Sequence, residues 1–330
     1  MLVKVNGSDV KEAFFDIEPL KTDSMLFRVD GNLLTIGASK DVLYRASIPI
    51  IESKGLSNLS VCVLYTNISP LIKSKDIVEI ELSEFSINLS TQNFHVTLAV
   101  SDALIEMDDC PSKLDATPIS SPGDLNLALN AYKYTGFFQK KLMIERPVQL
   151  CRSHAVLLLP TVWFRFKCCD IEATLTKEQC SIAYKFKPTH FMEADKLWLF
   201  RDNATIAIPI VPVDRDDEYL KVSETMTSLG IYNSKNLASK TKSLSQVIGD
   251  CDCSVYITDK DVYFRANKAT LEVQDSIKEE VQKSFTTRLE YITAILNMLG
   301  DDKYFEILFK ENIVCFRNNI IGVILSVGGK

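Results

Sequence analysis

Long apolar runs are missing from this chain of 330 residues. None approaches the roughly 20 consecutive residues that a membrane-spanning helix needs. The opening residues, Met1 to Gly7, read as a strand with an early lysine, so no leader peptide is expected. Histidine is scarce. The three present, His95, His154 and His190, stand at no metal-ligand spacing and fall in no serine or cysteine nucleophile motif. There is no Gly-x-Gly-x-x-Gly and no phosphate loop. Nine cysteines, an odd number, lie scattered through apolar runs such as those around Cys62, Cys151, Cys180 and Cys315. Cys168-Cys169 and Cys251-Asp252-Cys253 are too close for a Cys-x-x-Cys knuckle, so buried free thiols in a reducing cytoplasm are expected. The acidic pairs Asp108-Asp109, Asp216-Asp217 and Asp301-Asp302 fall in expected turns or linkers and read as solvated surface. These absences argue against catalysis, a metal or a cofactor. A net charge of −6 argues against a dedicated reader of DNA sequence, leaving room only for a local basic patch on an acidic body.

What the chain does contain is a repeated pattern. In its last stretch, residues 285–327, Ile292, Ile295, Leu296 and Leu299 recur at helical spacing, with Gly300 as a candidate cap. Three runs rich in β-branched and aromatic residues follow, at 304–309, 313–317 and 320–327. Only Lys310-Glu311-Asn312 and Asn318-Asn319 separate them, which suits hairpins. With a strand near 280–285 the unit reads βαβββ. The same order recurs at the start: a strand at 1–6, a helix from a Ser8 cap to Glu18 ended by Pro19, and strands at 25–29, 33–38 and 42–48. A second copy has strands at 60–65, 76–82, 85–90 and 94–100 around a short helical turn at 68–74. After a linker at 110–123, a third copy combines a strand at 125–129, a helix at 130–141 and strands at 155–159, 162–168 and 171–176. The fourth is weaker, through 181–187, 188–195, 197–201 and 205–211. A polar break at 214–218 precedes the fifth: a strand at 225–232 or at 219–222, a helix at 234–248, and strands at 254–258, 262–266 and 269–274. Repeats on this scale define the architecture before any single element does.

Six βαβββ units paired into three domains resemble the sliding DNA clamp, the processivity subunit of bacterial and phage DNA polymerases. The resemblance rests on element order and spacing over the whole chain. It implies an α+β fold of three domains, 1–112, 113–217 and 218–330, with helices inside and antiparallel sheets outside. It also implies a head-to-tail homodimer closed around double-stranded DNA, in the cytoplasm of a bacterial or phage-infected cell, with no enzymatic activity and no cofactor. DNA polymerase and the clamp loader would dock by peptide tails.

Helices lining such a hole should carry cations that neutralise phosphate without reading bases. The candidates are Lys73 and Lys75 at the end of the second helix, Lys133, Lys140 and Lys141 on the third, Lys235, Lys240 and Lys242 on the fifth, and Arg288 opening the sixth. The first helix, with Glu12, Asp16 and Glu18 beside Lys11, and the fourth, with Glu193 and Asp195, carry acids instead. By resemblance, an apolar partner pocket would take Leu150 from before the middle domain's second strand and Cys168 with Ile171 from its third-to-fourth strand turn. Pro188 and Met192 would come from the start of the next helix, and Ile324 from the last strand. Plain core packing is the competing reading for Cys168 and Ile171. The final residues, Leu325 to Lys330, depart from the Met-Pro-Met-Arg-Leu type of tail. Two other functions stay open: a clamp-fold scaffold that does not encircle DNA, and a multidomain β-rich virion protein.

Overall fold

A computed structural model of the chain describes all residues except 56–57, 108–109, 212–216, 269–270, 278, 301–302 and 329–330. The first repeat comprises β1 (Leu2–Asn6), α1 (Gly7–Ile17), β2 (Ser24–Asp30), β3 (Leu33–Ser39) and β4 (Leu43–Lys54). The second has β5 (Leu59–Leu64), a 3-10 turn at Ser69–Leu71 in place of a helix, β6 (Ile77–Leu82), β7 (Ser86–Ser90) and β8 (His95–Ala99). Next come β9 (Thr117–Pro118), α2 (Pro122–Leu129), α3 (Ala131–Leu142), β10 (Val148–Leu158) and β11 (Val162–Leu175). The fourth segment is α4 (Lys177–Phe186), β12 (His190–Glu193), β13 (Lys196–Arg201) and β14 (Ala204–Pro209). The last third holds α5 (Asp217–Glu224), β15 (Thr227–Asn233), α6 (Ser234–Ile248), β16 (Asp252–Ile257), β17 (Val262–Lys268) and β18 (Leu271–Gln274). It closes with β19 (Lys283–Arg288), α7 (Leu289–Leu299), β20 (Tyr304–Lys310), β21 (Ile313–Arg317) and β22 (Ile321–Ser326).

Local chemistry accounts for these elements. Along α6, Leu237, Thr241, Leu244 and Ile248 are buried at helical spacing, and the Asn233 side chain accepts from the Asn236 amide to cap the first turn. On α7 the stripe Ile292, Ile295, Leu296 and Leu299 is buried as expected, and Gly300 is the C-cap. Strands alternate: on β6 the side chains of Val78, Ile80 and Leu82 are buried while Ile77 and Glu81 face water.

The chain forms two compact units, Met1–Pro122 with Lys177–Val211, and Gly123–Thr176 with Pro212–Lys330. All sheet pairing is antiparallel. The first unit holds a 12-stranded sheet whose main path runs β8-β7-β6-β1-β4-β14-β13-β12-β9, with β3, β2 and β5 branching from β4. The second holds a six-stranded sheet, β10-β11-β22-β21-β20-β15, and a four-stranded one, β18-β17-β16-β19.

Several expectations fail locally. Residues 125–129 form the end of α2, not a strand. Leu125, Ala128 and Leu129 are buried at helical spacing, and Pro122 opens the helix, where a missing N–H costs nothing. The strands expected at 162–168 and 171–176 are one continuous β11, so no turn lies at Cys168 and Ile171. Its partner β10 starts earlier than expected, at Val148, places Leu150 within the strand, and absorbs a bulge between Arg152 and His154. Residues 177–186 form α4, burying Cys180, Ala183 and Phe186. The helix is therefore complete before Pro188, and Met192 sits on β12, not at a helix start. Ser8 lies inside α1, whose N-cap is Asn6. The alternative strand at 219–222 is part of α5, so β15 opens the fifth repeat. The expectations at Asp108, Asp109, Asp216, Asp301 and Asp302, at 214–216 and at 269–270, lie outside the described residues.

α5 packs Tyr219 and Val222 against the six-stranded sheet in a cluster that includes Cys151, Val156, Leu308, Cys315 and Ile324, with Met226 just beyond its end. The Tyr219 hydroxyl makes a hydrogen bond with Cys315 Sγ at 3.7 Å and sits where a Cβ on Gly322 would stand, 2.2 Å from that ideal position. Gly322→Ala should therefore destabilise the chain by about 1–3 kcal/mol through overpacking. In a Tyr219→Phe background, which removes the clashing oxygen, the same change should cost clearly less. Urea unfolding of the four proteins in the double-mutant cycle measures this; equal costs in both backgrounds would contradict it.

Candidate nucleic-acid interface and partner pocket

The basic residues fall into two classes. On α3 the buried side is Ala131, Thr135, Phe138 and Gln139, which leaves Lys133, Lys140 and Lys141 exposed on a helix without a carboxylate. On α6 the buried stripe leaves Lys235 and Lys242 exposed and Lys240 half-buried, again without a carboxylate on the helix. Lys133, Lys140, Lys235 and Lys242 form no ion pair among the described residues. The rest are engaged or displaced. Lys141 pairs with Glu290 of α7 at 2.8 Å, and Lys240 pairs with Asp261 at 2.8 Å beside the Tyr263 ring. Arg288 pairs with Asp250. Lys73 and Lys75 are exposed in the loop after the 3-10 turn, not on a helix.

The charge of the fourth helix changes once its position is corrected. Glu193 ends β12 and Asp195 lies in the following turn, whereas α4 carries Lys177 and Lys185 against Glu178. Reading a strand at 181–187 hid these two lysines. The signal was the spacing of Cys180, Ala183 and Phe186. α1 remains acidic, with Asp9, Glu12 and Asp16 against Lys11.

One of those acids is structural. Asp16 is buried and accepts from Arg201 Nη2 at 2.5 Å, while Glu12 meets the same nitrogen at 2.6 Å and Arg201 Nη1 donates to the Phe186 carbonyl at 2.8 Å. Tyr44 donates a weak hydrogen bond to Asp16 at 3.4 Å. Burial outweighs the arginine here, and the Asp16 carboxyl is pushed up from 3.8 to about 6.

The pocket candidates divide between the two units. Leu150, Cys168, Ile171 and Ile324 belong to the six-stranded sheet and are all buried. Leu150 pairs with Ala173 and Ile171 with Arg152, which sets them on the face opposite Cys151, whereas Ile324 packs in the cluster that contains Cys151. Pro188 and Met192 belong to the other unit. Pro188 is buried. Met192 is half-buried against Trp198, in a cluster with Leu43, Cys110 and Ala116. Among the described residues, no group of three or more His, Cys, Asp or Glu side chains could hold a metal ion, and no helix is long and apolar enough to cross a membrane.

No family model matches the sequence, and neither does any curated protein. Solved structures do match. The DNA polymerase III β sliding clamp of Pseudomonas aeruginosa, bound to griselimycin, superposes with a TM-score of 0.74 at 9% identity, covering 99% of both chains. The Thermotoga maritima β subunit gives 0.72 at 13% identity, covering 99% of this chain and 98% of its own. The Helicobacter pylori β clamp bound to a DNA ligase peptide gives 0.69 at 13%, covering 99% of both. The chain has the β-clamp-like fold, an α+β architecture of helices and antiparallel sheets. At such low identity the likeness establishes the fold alone.

The raised Asp16 pKa has a consequence for stability. The folded chain holds the proton up to about pH 6, the unfolded chain only to about 4, so stability should fall as pH rises between these values. Asp16→Asn removes the titration. Urea unfolding at pH 4.5 and pH 7 should show the parent losing stability relative to the variant across that interval; parallel behaviour would contradict the assignment.

Proposed function

We propose that the chain is a sliding clamp: a homodimeric ring that encircles duplex DNA without reading its sequence and tethers a DNA polymerase. It would be built of three domains, 1–112, 113–217 and 218–330, and work in the cytoplasm of a bacterial or phage-infected cell. The observation that carries this reading is a rule in the sheet junctions. The last strand of the first repeat, β4, pairs with the last strand of the fourth, β14, through Tyr44↔Ile206 and three neighbouring residue pairs. The last strand of the third repeat, β11, pairs with that of the sixth, β22, through Phe164↔Val323 and four others. Two end strands then remain: β18 of the fifth repeat and β8 of the second, each at the edge of its sheet. Applying the rule once more pairs β18 of one copy with β8 of another, which is head-to-tail closure. An unpaired edge left in water would instead invite indiscriminate pairing.

The exposed lysines of α3 and α6 support a duplex as the occupant, since they can neutralise phosphates and offer no arrangement for reading base edges. A ring of this kind raises the polymerase's effective concentration at the primer end, as any tether does. It would need a separate loader, and polymerase and loader would dock by peptide tails. The Helicobacter pylori clamp is itself bound to a ligase peptide. Among the six pocket candidates only Met192 is not buried, and the proposal gives it the contact with such a tail. The acidic α1 favours one rival, a clamp-fold scaffold that does not enclose DNA.

Two experiments separate these readings. Lys133→Glu, Lys140→Glu, Lys235→Glu and Lys242→Glu combined should weaken duplex binding. They should also flatten its salt dependence by about 3–4 units of slope, roughly 0.9 per lost contact. An unchanged slope favours the scaffold. Sedimentation should show a dimer at micromolar concentration, and Leu271→Glu, a charge placed on the exposed edge strand β18, should convert it to monomer. A parent that sediments as monomer contradicts the closure.

A further inference from the structure

α5 covers only part of its sheet face. Across the six strands, Val156, Arg165, Gly322, Arg317, Glu306 and Ile231 are successive partners and therefore share one face. Tyr219 lies over this row at Gly322, between the two arginines. Next to it is a cleft of about 630 Å³, walled by Arg165, Arg317, Lys303, Glu306, Ile231 and Tyr304 beside the Asn318–Asn319 turn.

The charge of this wall is unlike that of the chain. The described lining residues include three cations and one carboxylate, on a protein of net charge −6. Glu306 is already engaged by Arg317 Nε at 2.8 Å. Burial would raise its pKa, but Ser228 and Arg317 together hold its carboxyl below the usual range. Arg165 has no ion pair among the described residues, and its Nε is buried without a hydrogen-bond partner. Lys303 lies 5.2 Å from the Tyr304 ring centre, likewise with no carboxylate partner among the described residues. Arg165 and Lys303, without a carboxylate partner among the described residues, favour an anionic occupant of this recess.

The rim says which kind. Ile231 is 71% exposed and Tyr304 51% exposed, and they sit on the same face, since Tyr304 pairs with Asn233 and Glu306 with Ile231. A phosphate ion or a nucleic-acid backbone would make no use of two exposed apolar side chains beside the cations. A peptide carrying carboxylates next to an apolar side chain uses both. We propose that this cleft docks an acidic peptide segment of a partner protein, its carboxylates on Arg165, Arg317 and Lys303 and an apolar side chain against Ile231 and Tyr304. The proposal does not rest on ring closure or on DNA binding.

The test uses the full chain and a fluorescein-labelled peptide of sequence Asp-Asp-Leu-Asp-Glu, followed by fluorescence anisotropy at low salt. Saturable binding is expected, weakened at least tenfold by Lys303→Glu and several-fold by Ile231→Ser. Both positions are exposed, and thermal melting confirms that each variant is folded. The Asn-Asn-Leu-Asn-Gln peptide should not bind. Absence of saturable binding overturns the proposal. So does binding that ignores both variants, or binding that Ile231→Ser leaves intact while inorganic phosphate displaces the peptide, because that marks a plain anion site.

Discussion

Backbone hydrogen bonding at the ends of the repeats is the constraint on which the rest depends. A βαβββ unit leaves its last strand with a row of unpaired N–H and C=O groups, and each must find water or another strand. Inside the chain this is solved twice in the same way, β4 against β14 and β11 against β22. The solution is continued past the regular strands: the Ser47 amide donates to the Asn203 carbonyl at 2.9 Å, and the Lys167 amide to the Ile320 carbonyl at 2.7 Å. Because side chains on a strand alternate, each junction also fixes which face is buried. At β11 and β22 it brings Phe164 beside Val323, both fully buried.

Charge then follows from this framework instead of competing with it. The acids of α1 include one, Asp16, that is consumed by Arg201 in a buried cluster and is not available to repel a polyanion freely. The lysines of α3 and α6 stand on the faces their buried stripes leave open. An acidic chain can thus present locally basic helices.

The parts of the fold legible in the sequence are those where periodicity and caps agree. α6 was expected at 234–248 and occupies Ser234–Ile248 because Leu237, Thr241, Leu244 and Ile248 keep one period and Asn233 supplies a cap. The final meander was legible because short polar turns separate strongly β-prone runs. α2 was misread because Leu125, Leu127 and Leu129 also satisfy a period of two. α4 was misread because Cys, Ile, Tyr and Phe favour strands in general, while tertiary burial of one side decided for helix. The strand junctions and the cleft at Arg165 and Arg317 were not legible at all. Alternation marks both arginines as facing away from their buried neighbours, but only the register across three strands, β11, β22 and β21, brings them together.

Under the proposed function, topology and not affinity would hold the chain on DNA. Its most direct test is retention on nicked circular duplex at moderate salt, measured before and after the circle is cut once. A ring survives on the circle and slides from the linear form. Equal retention on both forms would mean that the chain grips DNA or ignores it, and would contradict encirclement.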